Sequence, residues 1–326
     1  MSFGCVYFAA MKRIMLPILI IFSAIAANSQ TEIAGVTKIE ASPEKGFAYP
    51  YYLFVPEKLR GDGPPVKAHT ILVSPNNTGS IDDDMAVHEA NVKRRIAQAG
   101  FVFGRLNMPV LMPVFPRPKA DWKIYTQALD RDSMLTEKKE YARFDLQLVS
   151  MIDDARERLA AEKITTDTKV FIYGFSAAGM FANRFTFLHP KRVKAAAIGS
   201  PGGWPIAPAT KFAGKELRYP IGVNDLKAVA GSNLKLNDLR KVRFFIFLGD
   251  KDVNDSLVFS DGYEEQDKEL VFELFGKTPV ERWDISKKLY LDAKLNAEFK
   301  LYPDTEHRMT PAIIGDITAF FERSLK

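Results

Sequence analysis

Val170-Phe171-Ile172-Tyr173-Gly174-Phe175-Ser176-Ala177-Ala178-Gly179 is the stretch that decides how this chain is read. An apolar, β-prone run ends in Gly-Phe-Ser-Ala-Ala-Gly, and Met180, Phe181, Phe185 and Leu188 follow in a helix-like pattern. Strand, sharp turn and helix therefore succeed one another, with a serine at the turn. Such a turn holds a hydroxyl clear of the backbone at the carboxyl edge of a sheet, where a histidine can reach it. Strand and helix nearly touch there, so the residues two before and two after the serine must be small. Gly174 and Ala178 meet that need.

Two further signals stand downstream. Arg243 to Leu248 is an apolar strand that runs into Gly249-Asp250-Lys251-Asp252, a loop with an acid three residues past a glycine. Phe299 to Pro303 is a short strand, followed by Asp304-Thr305-Glu306-His307. Ser176, Asp252 and His307 stand in the chain order serine, aspartate, histidine. In these three loops the chain resembles the α/β-hydrolase superfamily, nearest in style to secreted esterases and polyester-depolymerase-like enzymes. The resemblance covers nearly the whole mature chain as a pattern of elements. It implies an α/β fold, a doubly wound and mostly parallel sheet with helices on both faces. It also implies a nucleophilic serine at position 176. The family pattern has glycine where this chain has Ala178.

A serine hydroxyl attacks a carbonyl only when a base takes its proton. His307 is the expected base, and Asp252 the expected partner of its other ring nitrogen. Of the other three histidines, His69 opens a strand, His88 sits in a helix, and His189 precedes Pro190 at a helix end. The loop after Leu248 offers three acids. The Gly249-x-x-Asp252 spacing favours Asp252, while Asp250 suits a turn cap and Asp255 a cap with Ser256. By the resemblance, the oxyanion of the tetrahedral intermediate is held by two backbone N–H groups. One is that of Ala177. The other comes from Pro75-Asn76-Asn77-Thr78-Gly79, where Asn77 is preferred to Asn76. Phe175 and Trp204 are the candidate substrate-binding rings. Trp204 also suits an anchor that ties residues 201–240 to the core.

Apolar runs alternate with helical patterns from about residue 47 onward, as in a sheet covered by helices on both faces. Expected strands are Tyr49 to Val55, Thr70 to Ser74, Phe101 to Leu106, the run into Ser176, Val193 to Ile198, Arg243 to Leu248 and Lys300 to Tyr302. Expected helices include Met85 to Ala99, stopped by Gly100, and Tyr141 to Lys163, with Phe144, Leu148, Ile152, Ala155 and Leu159 on one face. An inserted helix is expected around Glu264 to Phe275, and a closing one from Pro311 to Leu325. Residues 107–135 and 201–240 break the alternation with prolines and aromatics. Both read as cap-like loop insertions at the carboxyl edge, where open α/β sheets bind ligands.

Lys12 and Arg13 precede an uncharged run from Ile14 to Ala27, and Ala27-Asn28-Ser29 offers small residues for cleavage. Residues 1–29 thus read as a signal peptide, with Met11 as an alternative start. The remainder, residues 30–326, is expected to form one domain and to reside in the periplasm or outside the cell, in a bacterial envelope. No stable membrane insertion is expected once the signal is gone. Cys5 is the only cysteine and lies in that segment, so the mature chain has no disulfide and no thiol nucleophile. The net charge of +5 falls to +3 with Lys12 and Arg13 removed, too mild to argue for nucleic acid. Lys93-Arg94-Arg95 falls in a helix pattern and is expected on its solvated face. No metal-ligand spacing and no glycine-rich nucleotide loop is present, so no cofactor is expected.

The expected activity is hydrolysis of a small-molecule or polymer-derived carboxylic ester through an acyl-enzyme. A peptidase of the same fold and a binding protein on a degenerate scaffold are the alternatives. Ala178 and the unusual oxyanion loop favour the second of these.

Overall fold

The computed structural model describes residues 34–326, apart from residues 61, 62, 65, 68, 69, 78, 104, 105 and 260. The expected signal segment and His69 lie outside the described residues. Eight strands form the main sheet: β1 (Val36–Ile39), β2 (Tyr51–Phe54), β3 (Leu72–Val73), β4 (Val110–Pro113), β5 (Val170–Phe175), β6 (Val193–Gly199), β7 (Arg243–Gly249) and β8 (Asn296–Tyr302). Their order is β1-β2-β4-β3-β5-β6-β7-β8. The β1–β2 and β2–β4 pairs are antiparallel, and every pair from β4 to β8 is parallel. The described helices of ten or more residues are α1 (Met85–Phe103), α2 (Phe144–Ala161), α3 (Ala177–Leu188), α4 (Glu265–Leu274), α5 (Trp283–Asp292) and α6 (Pro311–Leu325).

Parallel strands buried on both faces carry apolar side chains at every position, and the pleat sends successive ones to opposite sides. Val170 and Ile172 of β5, and Phe244 and Ile246 of β7, join α2 and α3 in one cluster. Phe171, Tyr173, Phe245 and Phe247 join Ile96 of α1 and Ile317, Phe320 and Phe321 of α6 in another. The helices thus lie on both faces of the sheet. The predicted stripe of α2, Phe144 to Leu159, is fully buried on the first face.

Two strands differ from the sequence reading: β1, which was not expected, and the strand expected from Phe101 to Leu106. Phe101 to Phe103 belong to α1. Glycine inside a helix costs about 1 kcal/mol against alanine, too little to stop a helix at Gly100. The strand lies further on, at Val110–Pro113, inside the stretch read as a cap-like insertion. Its prolines stand where they spare the ladder. Pro109 precedes the strand and offers only its carbonyl, to Leu72 N–H, and Pro113 is the last residue, opposite Tyr51.

Tyr125 and Ala128 of that stretch pack with residues 204–221 and with α4 into a third apolar cluster, which includes Met180, Trp204, Tyr263 and Phe275. Leu129, Met134, Ile206 and Tyr219 join the first cluster, so the irregular segments are held by both.

Candidate active site

Ser176 sits between β5 and α3 with φ 62° and ψ −129°, a backbone conformation costly for a residue with a Cβ. Close packing on both sides holds it there. A side chain at Gly174 would overlap the carbonyl of Ala178, and one at Gly179 would come within 2.5 Å of the carbonyl oxygen of Gly199 on β6. The second position that must be glycine is therefore 179, and Ala178 fits where the family pattern has glycine. Ser176 N–H donates to the Gly199 carbonyl at 3.0 Å, which ties the turn to the neighbouring strand.

Asp252 and His307 are brought together by the ends of β7 and β8. Lys251 N–H donates to the Thr305 carbonyl at 3.0 Å, and Asp250 N–H to Tyr302 at 3.0 Å. The carboxylate of Asp250 accepts from Thr305 N–H at 3.2 Å, so Asp250 is a strut between the two loops. Asp255 accepts from Leu257 N–H at 3.0 Å and from the Arg282 guanidinium at 2.8 Å. Asp252 alone of the three reaches His307, with Nδ1 lying 3.1 and 2.9 Å from its two oxygens.

Burial of Asp252 opposes its ionisation. Hydrogen bonds from His307, the Ser200 hydroxyl and Asn254 N–H outweigh that cost and hold its carboxyl below the usual range. Ser200 was not singled out from the sequence. It follows β6, which lies between β5 and β7, so only the sheet order places it beside Asp252. Its φ of 42° shows the same tight edge geometry.

The other described histidines are occupied elsewhere. His88 is buried with Nε2 2.9 Å from the Asp82 carbonyl, and His189 lies 2.8 Å from the carboxylate of buried Asp145.

Ala177 is the first residue of α3, so its N–H is among those a helix leaves without an internal partner. The loop after β3 packs against this turn, with Asn77 Oδ1 accepting from Ala178 N–H at 3.2 Å. The Asn76 side chain is turned away. It donates to the Phe115 carbonyl at 2.8 Å and accepts from Phe115 N–H at 3.0 Å, which fixes the loop to the end of β4.

The two candidate substrate rings part company. The Phe175 ring lies 4.7 Å from the His307 ring and lines a cavity of about 240 Å³ with Asn77, Tyr173 and Met309. Trp204 is a correction. It is 1% exposed, stacks on Phe275 at 4.1 Å and donates from Nε1 to the Ile221 carbonyl at 2.9 Å. Its face and polar edge are spent on packing, so it anchors residues 201–221 and has no surface left for a ligand.

No protein-family model matches the chain, and no curated protein matches it in sequence. Solved structures do. A poly(aspartic acid) hydrolase-1 from Sphingomonas sp. KT-1 superposes with a TM-score of 0.56 at 16% identity, over 90% of this chain and 99% of the other. LpqC, a poly(3-hydroxybutyrate) depolymerase from Bordetella parapertussis, gives 0.54 at 16% identity, over 89% of each. With the sheet order above, these likenesses show the α/β-hydrolase fold.

Proposed function

We propose that this chain is an exported serine hydrolase that cleaves carboxylic esters. The observation that supports this reading most is the two-oxygen grip of Asp252 on His307, at the sheet edge that also carries the strained Ser176 turn. Ser176 Oγ attacks the ester carbonyl while His307 takes its proton. Asp252 holds Nδ1–H, which leaves Nε2 as the basic nitrogen and stabilises the imidazolium. The carbonyl oxygen becomes an oxyanion, and the N–H groups of Ala177 and Asn77 receive it, each such donor contributing about 3 kcal/mol of barrier lowering. His307 then protonates the leaving alcohol. Water repeats the sequence on the acyl-enzyme and frees Ser176.

Acylated carbohydrates, phenolic esters and polyester fragments are the substrate classes in view. Of the two structures above, the depolymerase is named for a polyester, which favours the last of these, whereas the poly(aspartic acid) hydrolase is named for a polyamide and keeps amides in the test. Export rests on residues 1–29. Among the described residues, no helix is long and apolar enough to cross a membrane.

The test is a panel of p-nitrophenyl esters of increasing acyl length beside peptide p-nitroanilides. Turnover of esters at least a hundredfold above the amides supports the reading. Faster amide turnover replaces it with a peptidase, and no turnover of either with a binding scaffold.

A further inference from the structure

The cavity beside Phe175 holds a cation, and no acid among the described residues lines it. The space of about 240 Å³ is lined by residues of β4, β5, α1 and α6 and by the loops that carry Ser74, Asn77 and Met309. Three of its lining residues tie it to the serine turn and to His307. Phe175 precedes Ser176, Asn77 is hydrogen-bonded to the first turn of α3, and Met309 lies two residues beyond His307. Met112, Tyr173, Ile314 and Ile317 make its walls mainly apolar, and none of its lining residues is an aspartate or glutamate.

Arg95 also lines this cavity. From the sequence it falls on the solvated face of a helix, but its Nε is buried and has no hydrogen-bond partner among the described residues. The titratable groups acting on it are Tyr173 and Arg94, the first a neutral phenol at ordinary pH and the second another cation. Burial pulls its pKa below the usual arginine value, and a neighbouring anion would reverse that. A guanidinium is charged at every relevant pH, and its planar fork matches a carboxylate through two parallel hydrogen bonds. Half-burying such a group in an apolar wall is costly without a counter-charge. A buried arginine elsewhere in the protein, Arg282, does have its acid, Asp255, at 2.8 Å, which is what a structural arginine looks like.

We propose that the substrate of this site is an ester carrying a second, free carboxylate, which Arg95 binds inside the cavity. This deepens, and rests on, the ester hydrolase reading. An apolar spacer between the two groups would lie along Met112, Tyr173 and Ile317. Monoesters of dicarboxylic acids have this chemistry on the acyl side. Esters of hydroxy acids with a free terminus have it on the alcohol side.

Two matched pairs of esters separate those sources. The acyl pair is p-nitrophenyl hydrogen glutarate and p-nitrophenyl butyrate. The alcohol pair is the butyrate ester of 4-hydroxybenzoate and phenyl butyrate. The quantity read is the ratio of kcat/KM, anionic over neutral, in wild type, Arg95→Gln and Arg95→Lys. In at least one pair Arg95→Gln should lower that ratio about tenfold or more, mainly through KM, and Arg95→Lys should restore part of it. A variant that merely folds less well lowers both members of a pair alike and leaves the ratio in place. Ratios unchanged by Arg95→Gln in both pairs overturn the proposal. Glutarate binding measured by calorimetry keeps it separate from the catalytic reading. If no ester is turned over but glutarate binds, and binds at least tenfold more weakly to Arg95→Gln, the hydrolase reading falls and the carboxylate site stands. If no ester is turned over and glutarate binds neither protein, both fall.

Discussion

Asp252 meets Nδ1 of His307 with both oxygens of its carboxylate, at 3.1 and 2.9 Å, although the two stand 55 positions apart in sequence. The ring is thereby fixed in tautomer and orientation, and α4 and α5 are accommodated between the two loops without disturbing the strand ends.

Replacing Asp252 by asparagine keeps the shape and presents an amide that favours the wrong tautomer. Turnover of a p-nitrophenyl ester should fall about 10⁴-fold. Asp255→Asn should act differently, since it leaves Arg282 buried without its anion. It should lower the melting temperature by several degrees, in keeping with the ~3–5 kcal/mol of a broken buried pair. Kinetics and thermal melts on both variants check this. A more severe loss of turnover from Asp255→Asn at intact stability would reverse the two roles.

Trp204 should prove a stability residue. Truncating a buried Trp to Ala typically costs ~3–5 kcal/mol. Trp204→Ala should melt several degrees lower and lose activity on all esters to the same degree. A changed ranking among esters with an unchanged melting temperature would return the ring to the binding site.

The glycine at the turn offers a paired test. Gly179→Ala should push strand and helix apart at the Gly199 carbonyl and cost ~1–3 kcal/mol, with a loss of turnover because Ser176 moves. Ala178→Gly should cost only about the helix-propensity difference, ~1 kcal/mol, and leave catalysis largely intact. Circular dichroism melts and ester kinetics on both variants give the comparison.

The pH dependence of stability should carry a mark of Asp130. It is fully buried, and burial pushes its carboxyl up to about 7 despite hydrogen bonds from Ser133 and Tyr125. An aspartate in the unfolded chain titrates near 4. Between these values the folded protein retains a proton that the unfolded chain has released, so stability falls as pH rises from about 4 through 7. Asp130→Asn keeps an oxygen for the Ser133 N–H cap and cannot ionise. Melting temperatures at pH 5 and pH 8 should differ less in the variant than in the wild type, by a few degrees. An equal difference in both contradicts the assignment.

The main sheet was legible where apolar runs were long and bounded by turn residues. The closing helix runs from Pro311 to Leu325 as read, because Thr310 caps it and Pro311 opens it. Val36–Ile39 escaped notice because this short edge strand carries Thr37 and Lys38 among its four residues, which leaves no apolar run. The strand expected at Phe101 failed because Gly100 was given more power to end a helix than it has. Ser176, Asp252 and His307 could be singled out because each ends a strand run in a short, distinctive loop. Ser200 and Arg95 could not, since one depends on which strands are neighbours and the other on which side of α1 faces a cavity. The shift of the second close approach from 178 to 179 likewise depends on where Gly199 lies.

The most direct measurement is mass spectrometry of the protein treated with a fluorophosphonate, beside the Ser176→Ala variant assayed on a p-nitrophenyl ester. A single adduct mapped to Ser176, with turnover reduced about a million-fold in a folded Ser176→Ala protein, is the predicted result. An unlabelled Ser176, or a variant that retains activity within tenfold of the wild type, would contradict it.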